Sequence, residues 1–219
     1  MKYIVIDKNI NIEFFKDAVS YKKILNTYEV EFVLKNKEFE EKLDKYIIGI
    51  DELSLEKMII NNLNILDFKI STAESCTGGL IISRLIGISG ASNVINESYV
   101  TYANESKVKI LGVKRKTIEK YGVQSIEVAE EMAEGLLKAS EADICVSVTG
   151  YTTGEKKSDT DGIFYFGIKE KTSEFIHLEK ECFLGTREEI RYQQATYILW
   201  KVNNILKNIR KNKTTIKYK

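Results

Sequence analysis

From Ser54 to about residue 209 the chain alternates between two hydrophobic periods, and this alternation limits the folds open to it more than any other feature. Leu55, Met58, Ile59, Leu63 and Leu66 recur at helical spacing behind Ser54, an N-cap residue with Glu56 in the first turn. A strand reads over 69–73, then the tight turn Glu74-Ser75-Cys76-Thr77-Gly78-Gly79, then an apolar helix over 80–86. Residues 98–102 read as the next strand, Asn104 as the cap of a short helix to Leu111, Ser125 as the cap of a longer helix to about Ser140, and 142–149 as a buried strand. Residues 162–168 and 175–182 read as a strand pair, and 186–209 as a long terminal helix. Strands joined through helices lie parallel, whereas a closing hairpin adds antiparallel strands. The expected fold class is α/β: a three-layer α/β/α domain over 48–209 with a mixed, mostly parallel sheet. Residues 1–47, with strand signals at 3–6 and 28–34 and a helical stretch at 38–45, read as a small α+β N-terminal extension, and 210–219 as a basic tail.

Composition excludes several function classes. Lys plus Arg number 33 against 32 Asp plus Glu, a formal charge of +1, so there is no global electrostatic pull on a polyanion, and no nucleic-acid partner is expected. With His177 the single histidine, zinc sites built on two or three histidines are excluded, and no metal or cofactor is expected. Cys76, Cys145 and Cys182 are an odd number without paired spacing, so the expected setting is a reducing cytoplasm. No run approaches the roughly 18 apolar residues of a membrane span, so no membrane partner is expected.

Two constellations carry chemistry. Ser75 lies where a strand turns sharply into a helix, a bend that exposes a side-chain oxygen and aims backbone N–H groups beside it. Gly78 and Gly79 would let the backbone approach a substrate, and the helix N-terminus would favour an oxyanion; the simpler reading of Ser75 is a plain cap. In Tyr99-Val100-Thr101-Tyr102-Ala103-Asn104-Glu105-Ser106-Lys107, Tyr102 ends a strand and Lys107 falls in the first turn of a helix. The helix dipole and burial would both lower its pKa from about 10.4 toward a value useful for a base; a solvated surface lysine is the bland alternative.

Thr72-Ala73-Glu74-Ser75-Cys76-Thr77-Gly78-Gly79, then Val100-Thr101-Tyr102 with Asn104 and Lys107, then Val128-Ala129-Glu130-Glu131-Met132-Ala133-Glu134-Gly135, resemble in order and gaps the C-terminal domain of the CinA (competence/damage-inducible) family over about 48–208. The resemblance implies an amidase that converts nicotinamide mononucleotide to nicotinate mononucleotide and ammonia, with Ser75 as nucleophile and Lys107 as the base that takes its proton directly or by relay through Tyr102, usually as a homodimer. Cys76, Thr77, Gly78, Gly79, Asn104, Thr149 and Gly150 would then contribute to the oxyanion and substrate contacts. Gly185, Arg187 and Arg191 match the family's Gly-x-Arg-x-x-x-Arg helix start, which makes both arginines phosphate or interface candidates; the other reading of Arg187 to Arg191 is a helix with solvated charges paired to Glu188 and Glu189.

The chain departs from the family after Thr149-Gly150, where Tyr151-Thr152-Thr153-Gly154-Glu155-Lys156-Lys157-Ser158 replaces a glycine run able to wrap a phosphate or ribose. An amidase acting on another small amide, or a catalytically altered binding protein, are therefore the alternatives. The same stretch is no phosphate-binding P-loop, having three residues between its glycines and Glu155 after the second. A Cys76–His177 pair is a weaker rival, since nothing in the sequence brings His177 to Cys76.

Overall fold

In the computed structural model the described residues are 1–8, 10–152 and 159–216, with the side chains of 214–216 set aside. Residues 153–158 of the altered stretch and the end of the tail, 217–219, thus lie outside the described residues. The chain divides into two compact units, one of Met1–Ile59 with the chain from Leu199 onward, the other of Ile60–Ile198.

The first unit is an antiparallel sheet of four strands, β1 (Lys2–Ile6), β2 (Ser20–Ile24), β3 (Thr27–Glu31) and β4 (Ile47–Ile50), in the order β2-β3-β1-β4, with helix α1 (Lys37–Leu43) between β3 and β4. The expected α+β extension is present, with β2 and β4 in addition to the two strands read from sequence. One face is buried: Tyr3 and Val5 of β1 and Val30 of β3 alternate inward onto Phe15, Phe32, Phe39 and Leu43. Aromatic pairs order that core, with Phe32 edge-on to Phe39 at 4.9 Å and to Tyr3 at 5.8 Å. Asn36 caps α1 by accepting from the Phe39 amide at 3.0 Å.

The second unit is built on β5 (Ile70–Glu74), β6 (Tyr99–Val100), β7 (Ile144–Gly150), β8 (Ile163–Glu170) and β9 (Ile176–Cys182), ordered β6-β5-β7-β8-β9. Helix α2 (Leu55–Leu66) leads into β5, and α3 (Leu80–Ile86), α4 (Asn104–Leu111), α5 (Arg115–Tyr121) and α6 (Ile126–Ser140) supply the crossovers. The α7 helix (Arg187–Ile216) ends the described chain, seven residues beyond the end read from the sequence. The sheet is mixed but not mostly parallel: β5 pairs in parallel with β6 and β7, whereas β7–β8 and β8–β9 are antiparallel. The correction follows from the connections. Helices separate β5, β6 and β7, but no helix among the described residues separates β7, β8 and β9, and a crossover helix is what parallel neighbours require.

Helices pack on both faces. On one, Ser147 donates its hydroxyl to the Ala129 carbonyl of α6 at 2.6 Å, beside Gly167 of β8. On the other, Phe164 and Phe166 of β8 meet the Tyr197 ring of α7 edge-on at 6.4 and 6.0 Å. Ser125 caps α6 as the sequence suggests, accepting from the Val128 amide at 3.3 Å. Midway along α6, Gly135 meets the end of α4 so closely that a Cβ there would fall 1.7 Å from the Leu111 carbonyl oxygen. That contact seats α4, and with it Lys107, against α6.

Candidate active site

The parallel strands bring their carboxyl ends to one edge. Glu74 of β5 pairs with Val100 of β6 and Val148 of β7, so Ser75, Thr101 with Tyr102, and Thr149 with Gly150 at the end of β7 lie side by side. Ser75 is tied there by its amide, which donates to the Val148 carbonyl at 3.0 Å.

Lys107 reaches this edge from α4. Its Nζ lies 3.0 Å from Ser75 Oγ, 2.7 Å from the Thr101 carbonyl and 3.2 Å from the Tyr102 carbonyl, and only 1 % of the residue is exposed. The two carbonyls can only accept. The ammonium donates to all three oxygens; in the neutral amine, with two N–H groups and one lone pair, both N–H groups go to the carbonyls and the lone pair faces the Ser75 hydroxyl. Burial pushes the Lys107 pKa from 10.5 down to about 8, weakly opposed by Cys76. The direction, and burial as a cause of it, are those read from the sequence. The capping assigned to Asn104 is corrected: Ala103 occupies the N-cap without a side-chain bond, and Asn104 is the first helical residue.

The turn after Ser75 is held from two sides. The buried Glu74 carboxylate accepts from the amides of Gly79, Ile81 and Ile82 at 2.9, 3.1 and 2.9 Å and from the Thr77 hydroxyl at 2.7 Å. The first turn of α3 therefore spends its donors on an internal carboxylate, contrary to the expectation that this helix end faces an oxyanion. From α7, Arg191 donates Nε and Nη2 to the Thr77 carbonyl at 3.3 and 2.7 Å. Neither reading of Arg191 as a phosphate contact or as a solvated partner of Glu188 and Glu189 describes this contact; its fork grips the main chain. Glu189 instead accepts from the Thr186 amide at 2.8 Å. Gly78 and Gly79 have φ of 62° and 88°, and Cβ atoms there would press to 3.3 Å on Arg191 and Val100 respectively, so the glycines let protein, not substrate, come close.

A cleft of about 260 Å³ opens over Ser75, Cys76 and Lys107, and Tyr102, Asn104, Gly150 and Arg187 of the sequence-derived set line it. Thr77, Gly78, Gly79, Thr149 and Arg191 do not line it. Thr149 is buried and donates its hydroxyl to the Val123 carbonyl at 3.0 Å, which ties the loop before α6 to the end of β7. Tyr102 is 64 % exposed; its phenol oxygen accepts from Arg187 at 3.5 Å, and it meets Lys107 through its main-chain carbonyl, so the contact expected of a proton relay is replaced by one at the mouth of the cleft. Arg187 also donates to the Thr152 carbonyl at 3.1 Å. Val123, Gln124, Tyr151 and Thr152 are the other described lining residues; Tyr151 and Thr152 belong to the altered stretch, whereas Val123 and Gln124 were not read from the sequence. No acidic side chain is among the described lining residues.

The rival pair is separated by the sheet: His177 sits on β9, with β8 and β7 between it and β5, and pairs with Glu179 at 3.0 Å. Burial pushes the Cys76 thiol up to about 12. The first unit holds a larger cleft of about 410 Å³, but no serine, threonine or cysteine lines it. No described helix is long and apolar enough to cross a membrane.

Residues 52–206 match the CinA C-terminal domain. The chain is 41 % identical over 167 residues to a CinA-like protein of Kosmotoga olearia, covering 74 % of this chain and 40 % of that one. It is 45 % identical over 151 residues to a putative competence-damage inducible protein of Caldicellulosiruptor saccharolyticus, covering 68 % and 36 %. It thus spans about two fifths or less of the length of these relatives. Among solved structures, a competence/damage-inducible protein of Agrobacterium tumefaciens is similar with a TM-score of 0.64 and 33 % identity, covering 69 % of this chain and 93 % of the other. A CinA superfamily protein of Escherichia coli gives 0.61 at 26 % identity, covering 72 % and 92 %. With the domain match extending over most of its length, the chain belongs to the CinA C-terminal domain family.

Proposed function

We propose that the chain is an amide hydrolase that converts nicotinamide mononucleotide to nicotinate mononucleotide and ammonia through an acyl-enzyme on Ser75. The CinA C-terminal domain is known as a nicotinamide-mononucleotide deamidase, and the observation that carries the reading to this chain is the 3.0 Å approach of the buried Lys107 amine to Ser75 Oγ. Lys107 takes the hydroxyl proton as Ser75 Oγ bonds to the carboxamide carbon. The tetrahedral intermediate collapses with loss of the C–N bond, and the Lys107 ammonium returns its proton to the departing nitrogen, which leaves as ammonia. Water, deprotonated by the same amine, then cleaves the ester and frees Ser75 and the carboxylate product. This sequence requires no histidine. Arg187, at the mouth of a cleft whose described lining lacks carboxylates, suits the substrate phosphate. The amidase region would be residues 48–209, with 1–47 an extension and 210–219 a basic tail.

Incubation of the purified protein with nicotinamide mononucleotide is expected to release ammonia, and Ser75→Ala or Lys107→Ala is expected to lower the rate by about 1,000-fold or more with the fold intact by circular dichroism. Wild type that leaves the mononucleotide untouched, yet is labelled at Ser75 by a fluorophosphonate, would remove the substrate and keep the nucleophile. That outcome would favour another small amide.

A further inference from the structure

The main-chain N–H groups from Ser75 to Ile82 can be accounted for one by one, and the account singles out Glu74. Ser75 donates to the Val148 carbonyl, Gly78 to the Ser75 carbonyl at 3.1 Å and Leu80 to the Thr77 carbonyl at 3.3 Å. Gly79, Ile81 and Ile82 donate to Glu74, whose remaining capacity takes the Thr77 hydroxyl and the Thr72 hydroxyl, the latter at 3.1 Å. Two amides are left. Among the described residues no oxygen accepts from Cys76 or Thr77, whose N–H groups face the Cys76 sulfur. That sulfur is a buried thiol held neutral, so no fixed anion occupies the position they serve.

We infer that Glu74 is a positioning residue for Ser75: by engaging the first turn of α3 and the Thr77 hydroxyl, it holds the bend that turns Ser75 Oγ to Lys107 and leaves the amide of Cys76, which lines the cleft, to receive the oxyanion. The inference rests on the amidase reading above. A carboxylate suits the task because its two oxygens offer about four lone-pair sites and no donor, against five donors gathered from residues 72 to 82. Glutamine has nearly the same shape but turns one oxygen into an NH2 group, which must then face N–H or O–H groups that have nothing to accept it.

Glu74→Gln is therefore the diagnostic change. In steady-state ammonia release from nicotinamide mononucleotide, kcat is expected to fall about 100-fold with KM within about threefold of wild type, the signature of an interaction realised in the transition state. The rise of rate with pH should stay centred near 8, because the burial of Lys107 is untouched. A kcat within threefold of wild type, whatever the melting temperature, overturns the inference, as does a rise in KM that accounts for the whole loss. Should Glu74→Gln fail to fold, Thr77→Val removes one of the five donors and is expected to lower kcat about tenfold at unchanged KM; no change in kcat overturns the inference equally. Labelling of Ser75 by a fluorophosphonate separates this inference from the substrate assignment. Labelling slowed about 100-fold in Glu74→Gln supports it. Equal labelling in both proteins overturns it while leaving the nucleophile in place, and an unlabelled wild type overturns the nucleophile and the inference together.

Discussion

Lys107 is the group whose behaviour is most tightly determined by its surroundings, and pH exposes it twice. At pH 7 a lysine with a pKa of about 8 is uncharged in roughly one molecule in ten. Acylation of Ser75 requires that fraction, so kcat/KM is expected to rise about tenfold per pH unit below 8 and to level off above it. Stopped-time ammonia release or fluorophosphonate labelling between pH 6 and 10 measures this directly. Folding reports the same shift by a second route. The unfolded chain holds the Lys107 proton up to about pH 10.5 and the folded chain only to about 8, so folding expels a proton between these values and stability rises with pH across that window. Below pH 8 the full cost is present, about 3 kcal/mol at 1.36 kcal/mol per tenfold change in protonation, and it vanishes above 10.5. Urea unfolding of wild type against Lys107→Met cancels the other titrating groups. The gap between the two should move toward wild type by about 2 kcal/mol from pH 7 to pH 10. A rate profile that is flat or centred near 10.5, together with a stability gap that ignores pH, would mean that the amine is solvated and the proton-transfer scheme is wrong.

Three further outcomes follow from the packing around the site. Gly135→Ala should cost about 2–4 kcal/mol in urea unfolding, since its Cβ would meet the Leu111 carbonyl, which is main chain and cannot swing aside; a loss under about 0.5 kcal/mol would contradict the approach of α4 to α6. Glu131 is pushed up by burial, but the Lys114 amide, the Thr117 hydroxyl and the Lys114 ammonium outweigh this and hold its carboxyl below the ordinary 4.5. Its stabilisation is therefore complete above the unfolded value and lost as pH falls through the folded one, so Glu131→Gln should be less stable than wild type by about 1–2 kcal/mol at pH 7, and the gap should narrow in thermal melts as pH falls below the ordinary carboxylate value of 4.5. Arg191→Lys replaces a fork on the Thr77 carbonyl by a point charge and should lower kcat about tenfold at constant KM, whereas Arg187→Met, at the mouth, should raise KM; the reverse split would exchange their roles.

The sequence disclosed these features in proportion to how local they are. The strand, bend and helix from Ile70 to Ile86 are legible because a buried run, two glycines and a second apolar run lie consecutively. β2 was not, because Ser20-Tyr21-Lys22-Lys23 of this edge strand are exposed throughout and carry no inward-outward alternation, and the short, glycine-interrupted β4 carries none either. The grip of Arg191 on Thr77 joins positions 114 residues apart, and no periodicity encodes such a partner. Ser75 and Lys107 are 32 apart, and only the family resemblance joined them. Yet one half of that pairing was written locally. Lys107 stands four residues before Leu111, and both are buried on one face of α4, so the helical period alone turns this lysine inward with a leucine. A lysine at a core-facing position has to lose its charge, find a carboxylate or serve chemistry, and the neighbours Lys107 meets are two carbonyls and a serine hydroxyl. None of the three can carry a compensating negative charge at rest, which is why a depressed pKa follows from the contacts and why the neutral amine is reached far more readily here than in water.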